Sequence, residues 1–394
     1  MSHQILDRDG HLKNDGRPKR ILALDGGGLR GVLTLGILGR MEALLARRHG
    51  GADGDDGTFR LAHYFDLIAG TSTGAIIAAG LAQGMSVKAL VAEYMQLGRK
   101  VFQRSFFRQG VLRAKYDHAL LSQELQRVYG ADTLLGGPEL LTGLLVVTKR
   151  LDSGSPWPIG NNPRGRFFEG DAGQGRIANR DFPLWKVVRA STAAPSYFDP
   201  ETLDILTPAG GAPLRGQFVD GGVSPFNNPS LQALMYATLN GYRLDWPTGA
   251  DKLLLVSVGT GAADPAIASP TLAVENAIKS LMSLMQDCAD LQQTMLQWMS
   301  ASPTAREIDS EVGDLRHDLI GGTPLISYLR YDVDLRAASV QALDPALTDV
   351  KAIADLSAMD APDNMDLLHR LGTLAGARDL RADDFPTVFD LPRA

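Results

Sequence analysis

The apolar positions of this 394-residue chain change period many times, and each change marks an element. Arg20-Ile21-Leu22-Ala23-Leu24 is a short, nearly unbroken apolar run, which reads as a buried strand. Past a glycine loop, Val32, Leu35, Ile37, Leu38, Met41, Leu44 and Leu45 recur at mixed three- and four-residue spacing and predict a helix. Residues 64–69 read as a second buried strand, and a small-residue apolar helix follows from about Ala75. The same reasoning places strands over 140–148, 218–222, 252–258 and 325–333. It places helices over 86–101, where Ser86 can cap, and over 184–190 and 229–240. Residues 153–180, rich in Gly, Pro and Asn, read as a long loop or irregular hairpin.

The longest helical pattern is 273–300, with Val274, Ile278, Leu281, Met285, Cys288, Leu291, Met295 and Met299 along one face. A methionine stripe of this kind is most often core, and an adaptable interface or lid is the other reading. Strands alternating with helices argue for an α/β fold with a mostly parallel sheet. Residues 1–18 read as a polar arm. Residues 19–394 read as a single domain with a motif core over 19–261 and a helical part over 262–394.

Composition narrows the picture. With 44% hydrophobic and 21% charged residues the chain is globular in kind, and a net charge of -6 argues against a nucleic-acid polymer as partner. The lone Cys288 excludes an internal disulfide and a thiolate metal cluster. Residues 1–19 lack the apolar stretch of a signal peptide, and no apolar run reaches the ~20 residues of a membrane span. A cytoplasmic protein is expected, peripheral at the inner membrane face when active.

Gly70-Thr71-Ser72-Thr73-Gly74 falls between the second strand and its helix, in a G-x-S-x-G pattern. A serine on such a turn is pushed out of the sheet edge, and the helix N-terminus behind it favours developing negative charge. A serine needs a base. None of the seven histidines (His3, His11, His49, His63, His118, His317, His369) both closes a strand and sits on a glycine turn. Asp220 does both, followed by Gly221 and Gly222, so a Ser72–Asp220 dyad is the better reading.

Asp25-Gly26-Gly27-Gly28-Leu29-Arg30-Gly31 is a second strand–loop–helix junction that offers backbone N–H groups. No lysine sits where a Walker loop puts one, so an oxyanion hole is preferred to a nucleotide site. The Gly/Asp tract 50–57 lacks the closing glutamate of a calcium loop and reads as a solvated turn.

Taken together, the 25–31, 70–74 and 220–222 motifs resemble the patatin-like phospholipase family, of bacterial type, as do Ala193-Ala194-Pro195-Ser196-Tyr197-Phe198 and Asn227-Asn228-Pro229. The resemblance covers roughly 19–261, with an echo at Tyr328-Leu329-Arg330-Tyr331. It implies a three-layer α/β/α fold and a lipid acyl hydrolase acting on carboxylic esters of glycerophospholipids, of phospholipase A or lysophospholipase type. Carried over, Ser72 is nucleophile, Asp220 base, Gly26, Gly27 and Gly28 the oxyanion hole, and Arg30 a support for that loop. No metal or other cofactor is needed for such chemistry. The resemblance also leaves open activation by a cyclic nucleotide, as in antiviral defence, and a non-catalytic lipid-binding regulator. A homodimer is left open as well.

Residues 99–115 depart most from the rest. Arg99, Lys100, Arg104, Arg108, Arg113 and Lys115 occur without one acid, interleaved with Phe102, Phe106 and Phe107. A helix face with its arginines snorkelling, an anionic lipid contact and a phosphate-binding pocket are the three readings. The lipid surface is favoured among the functional ones, because such an enzyme must reach a bilayer.

Overall fold

The computed structural model describes residues 3–50, 59–102, 116–171, 175–195, 197–208, 211–262 and 273–392. Strands β1 (Lys19–Leu24), β2 (Leu67–Thr71), β3 (Gly143–Arg150), β4 (Pro156–Gly160), β5 (Glu201–Leu206), β6 (Leu214–Asp220), β7 (Leu253–Val258), β8 (Ser300–Ala301) and β9 (Ile326–Tyr331) make one sheet. Helices α1 (Arg8–Leu12), α2 (Gly31–Arg48), α3 (Leu61–Tyr64), α4 (Thr73–Ala82), α5 (Val87–Val101) and α6 (His118–Tyr129) belong to the first half. Helices α7 (Leu184–Ser191), α8 (Ser230–Thr238), α9 (Ala273–Trp298), α10 (Ala337–Leu343), α11 (Val350–Asp355) and α12 (Met365–Asp379) complete it.

The strand order is β5-β6-β3-β2-β1-β7-β9-β8. Its centre, from β3 to β8, is parallel, while at one side β4 and β6 run antiparallel to β3 and β5 pairs antiparallel with β6. Alternate residues of β1 enter different cores: Leu22 and Leu24 pack under α2, α4 and α12, and Ile21 and Ala23 pack under α8 and Leu296 of α9. Both faces are therefore covered, which is why these strands read as unbroken apolar runs. The result is the expected three-layer α/β/α arrangement.

Three local expectations change. Tyr64 ends the helical turn α3, with Phe65 N–H bonded to the Leu61 carbonyl at 2.9 Å, so the strand begins only at Leu67. The turn and the strand are both fully buried, and Asp66 between them is itself buried, so the boundary falls inside what reads as one continuous buried run. The polar arm is docked: Asp7 caps α1 by accepting from Gly10 N–H, and Leu12 is buried. Buried His11 meets Asp66 at 2.8 Å, and Arg20 holds the same carboxylate at 2.9 Å.

Helix α9 is rotated from the expected face. Leu291 is 61% exposed, while Gln292, Gln293, Leu296 and Gln297 are buried. The glutamines are satisfied: Gln297 donates to the carbonyls of Arg306 (2.8 Å) and Asp314 (3.2 Å) and accepts from Gln293 (3.0 Å). Hydrophobic periodicity cannot detect a helix that buries amides against a neighbouring loop. Val274, Ile278 and Leu281 lie outside the described side chains.

Candidate active site

Ser72 is the single residue between β2 and α4, at φ 55° and ψ −124°. A left-handed φ at a non-glycine residue costs about 1–3 kcal/mol and persists only where its surroundings fix it. Here they do. The Ser72 N–H donates to Ser191 Oγ (2.9 Å), whose hydroxyl donates to the Val147 carbonyl (2.6 Å). The Ser72 carbonyl accepts from Ala75 N–H at 2.9 Å and starts α4. The flanking glycines are steric requirements. A Cβ on Gly70 would overlap the Gly74 carbonyl, and one on Gly74 would overlap the Leu24 carbonyl at the end of β1.

Sheet register brings the aspartate to the serine. Thr71 pairs with Val147 and Thr148 pairs with Asp220, so the first residue past β2 is level with the last residue of β6. Ser72 Oγ donates to Asp220 Oδ2 at 2.6 Å, and Gly222 N–H donates to Asp220 Oδ1 at 2.7 Å. Burial pushes the Asp220 carboxyl up to about 6, although Ser72, Gly222 and the nearby Arg189 charge pull it down. A carboxylate made more basic and bonded to a hydroxyl is suited to take its proton.

The glycine loop lies beside them, and its members differ. Gly27 and Gly28 line the cavity that holds Ser72 and Asp220, and their N–H groups donate to no acceptor among the described residues. Gly26 differs from the expectation: its N–H donates to the Asn227 carbonyl at 3.0 Å and is not free. Gly28 has φ +61° and lies under the Met359 carbonyl, where a Cβ would collide. Tyr94 donates its hydroxyl to the Gly28 carbonyl at 2.7 Å, and Thr260 donates to that of Gly26 at 3.0 Å. Arg30 closes the loop through its main chain, N–H to Gly27 carbonyl at 3.3 Å. Among the described residues its buried guanidinium Nε and Nη1 have no partner, and the arginine whose side chain grips the loop is Arg330, bonded to Asp25 at 2.7 Å.

Over the serine lies a cavity of about 150 Å³. Leu29, Ile76, Leu97, Phe102, Leu121 and Phe198 make it apolar, and Met282 and Met285 of α9 close one side. Among the described residues no histidine lines it. His49 and His63 are buried elsewhere, where desolvation lowers each to about 4.

Of the basic stretch, Arg99 pairs with Asp366 (3.2 Å) and Lys100 with Glu124 (2.8 Å). Arg104, Phe106, Phe107, Arg108, Arg113 and Lys115 lie outside the described residues. Ser191, Tyr94 and Arg330 were not assigned roles from sequence. Only Arg330 carried a signal, through the Tyr328–Tyr331 echo.

A serine on a positive-φ turn at the carboxyl edge of a parallel sheet, with a buried carboxylate on its hydroxyl and free amides alongside, has the geometry that serine acyl transfer requires. The family model for the patatin-like phospholipases matches residues 22–234, more than half of the chain, and the chain belongs to that family. It is 28% identical over 257 residues to a cGAMP-activated phospholipase of Escherichia coli (strain TW11681), covering 64% of this chain and 65% of that one. It is 28% identical over 349 residues to a cGAMP-activated phospholipase of Vibrio cholerae, covering 85% and 87%. Patatin-17 of Solanum cardiophyllum is 28% identical, covering 61% and 60%. The chain thus spans just under two thirds of the E. coli relative's length. Among the described residues no helix is long and apolar enough to cross a membrane.

Proposed function

We propose that the protein is a lipid acyl hydrolase that cleaves carboxylic esters of membrane glycerophospholipids and releases fatty acids, with Ser72 as nucleophile and Asp220 as base. The observation that carries this is the 2.6 Å Ser72 Oγ to Asp220 hydrogen bond at the wall of an apolar cavity. In the first half-reaction Asp220 takes the hydroxyl proton as Oγ bonds to the ester carbonyl carbon. The oxyanion that forms is met by the Gly27 and Gly28 N–H groups and the N-terminus of α4. The tetrahedral species collapses, the ester C–O bond breaks, and the proton on Asp220 passes to the leaving alcohol. Water then attacks the acyl-serine, gives its proton to Asp220, and the fatty acid leaves as Ser72 Oγ recovers that proton. The apolar lining seats the acyl chain away from water, which strengthens the electrostatic contacts at the reacting carbonyl.

The buried, hydrogen-bonded pair argues against a lipid-binding regulator without catalysis. The test is fatty-acid release from mixed phospholipid vesicles by wild type and Ser72→Ala. Equal release by the two would remove the proposal.

A second reading adds a gate to the same enzyme: activation by a cyclic nucleotide, in the setting of antiviral defence. What favours it is the similarity to the two cGAMP-activated phospholipases. Repeating the release assay with a panel of cyclic nucleotides separates a gated enzyme from a constitutive one. Docking on the inner membrane face through residues 99–115 belongs to the proposal too. Arg104→Glu with Arg108→Glu should weaken binding to anionic vesicles and spare a soluble short-chain ester. Homodimer formation is read directly from solution mass.

A further inference from the structure

We infer that Arg330 is the positioning residue of the oxyanion loop, a role resting on the reading of Gly27 and Gly28 as oxyanion donors. Arg330 is on β9, two strands from β1 and 305 residues beyond Asp25 in sequence. Its guanidinium is almost fully buried and makes three charged or polar contacts at the carboxyl edge of the sheet. Nη2 donates to Asp25 Oδ2 and to Asp332 Oδ2, each at 2.7 Å, and Nη1 donates to Ser257 Oγ at 2.7 Å. The two carboxylate contacts lead to the glycine loop.

Asp25 immediately precedes Gly26. Among the described residues Arg330 is its side-chain partner, since Asp25 Oδ1 has none. Asp332 accepts from Gly261 N–H at 2.9 Å and so fixes the turn after β7. That turn carries Thr260, whose hydroxyl holds the Gly26 carbonyl and whose side chain lies where a Cβ on Gly27 would be. Arg330 therefore ties the loop at its root through Asp25 and at its flank through Asp332 and Thr260. A planar, permanently charged fork can hold two carboxylates and a hydroxyl at once, which a lysine ammonium on a flexible stem does less well. Removing the fork leaves the buried Asp25 carboxylate and the part-buried Asp332 carboxylate without the guanidinium they share, and the root of the loop is the part free to move.

Arg330 touches neither the reacting serine nor the cavity, so its effect is on the chemical step. A misplacement of the oxyanion donors by about 1 Å is worth about 100-fold in rate, and loss of one donor costs a similar factor.

The experiment compares Arg330→Gln, Arg330→Lys, Asp25→Asn and the Arg330→Gln/Asp25→Asn double variant with wild type. It measures kcat and KM on a soluble short-chain ester and hydrogen exchange of amides 25–31. Expected are a kcat loss of about 100-fold in Arg330→Gln with little change in KM, and partial recovery in Arg330→Lys. The double variant should be no worse than the poorer single one. Exchange should quicken at 25–31 and stay at the wild-type level in β3 and α4. Should Arg330→Gln fail to fold, Asp25→Asn alone carries both readouts.

A folded Arg330→Gln with kcat within about threefold of wild type overturns the inference, as do multiplicative losses or exchange that rises throughout the molecule. If wild type and Ser72→Ala release fatty acid equally, the hydrolase reading fails, while the exchange data still decide whether Arg330 positions the loop.

Discussion

The two walls of the cavity are built on opposite plans. The wall bearing Ser72, Asp220 and the glycine loop is made of strand ends and turns pinned by main-chain hydrogen bonds at Gly26, Ser72 and Gly222, with the Gly27 and Gly28 N–H groups left free among the described residues. The α9 wall presents Met282 and Met285, and its outer residues Leu284 and Leu291 are 58% and 61% exposed. Unbranched thioether side chains adjust to shape, whereas a carboxylate and two amides act only in one geometry. The difference teaches that fixed chemistry and variable chain fit are assigned to different elements. Breaking either wall should give a distinct kinetic signature.

The largest effect is expected at the fixed wall. Ser72→Ala should lower fatty-acid release by more than about 10⁴-fold with the fold retained, and a fluorophosphonate should cease to label. Labelling that persists would move the nucleophile elsewhere. Asp220→Asn should cost about 10³–10⁴-fold, because an amide cannot accept the serine proton.

Wild-type kcat should rise as pH passes through about 6, where Asp220 becomes ionised. The stability sign is opposite. A carboxyl raised from 3.8 to about 6 favours the fold below pH 3.8 and loses that contribution as pH rises through 6. Asp220→Asn should therefore be more stable than wild type at pH 8, by on the order of 3 kcal/mol, and similar at pH 4. Melting curves at the two pH values check it.

At the adaptable wall, Met282→Ala or Met285→Ala should shift acyl chain-length preference by about tenfold and leave fluorophosphonate labelling of Ser72 near wild type. A loss on every chain length, with labelling gone, would merge the two walls into one. The smallest effect is expected at the exposed histidines. Alanine at His118 or His317 should leave kcat within about twofold of wild type, and a dead, folded variant would replace the dyad with a triad.

Legibility in the sequence follows the same division. The parallel strands were legible because burial on both faces produces unbroken apolar runs, and Ser72 and Asp220 were legible because glycines flank both turns. What was hidden depends on distant partners. That the Gly26 N–H is taken follows from Asn227, 201 residues away, and no local pattern encodes that pairing. The α9 face was misread because Gln292, Gln293 and Gln297 are buried against loop amides and carbonyls, and amides count as polar in any periodicity. The α3 turn was hidden because Asp66, just past its end, alternates with apolar neighbours as a residue of a strand would.

The 305 residues between Asp25 and Arg330 also set an order of events during synthesis. At ribosomal rates of roughly 5–20 residues per second, the serine, the aspartate and the glycines leave the ribosome well before β9, with roughly 15–60 s between the two ends of the Asp25–Arg330 pair. A nascent chain that already carries Ser72, Asp220 and the glycine loop thus lacks the strand whose Arg330 bonds to Asp25. On the proposed function, lipid-cleaving activity is deferred until translation has passed residue 330.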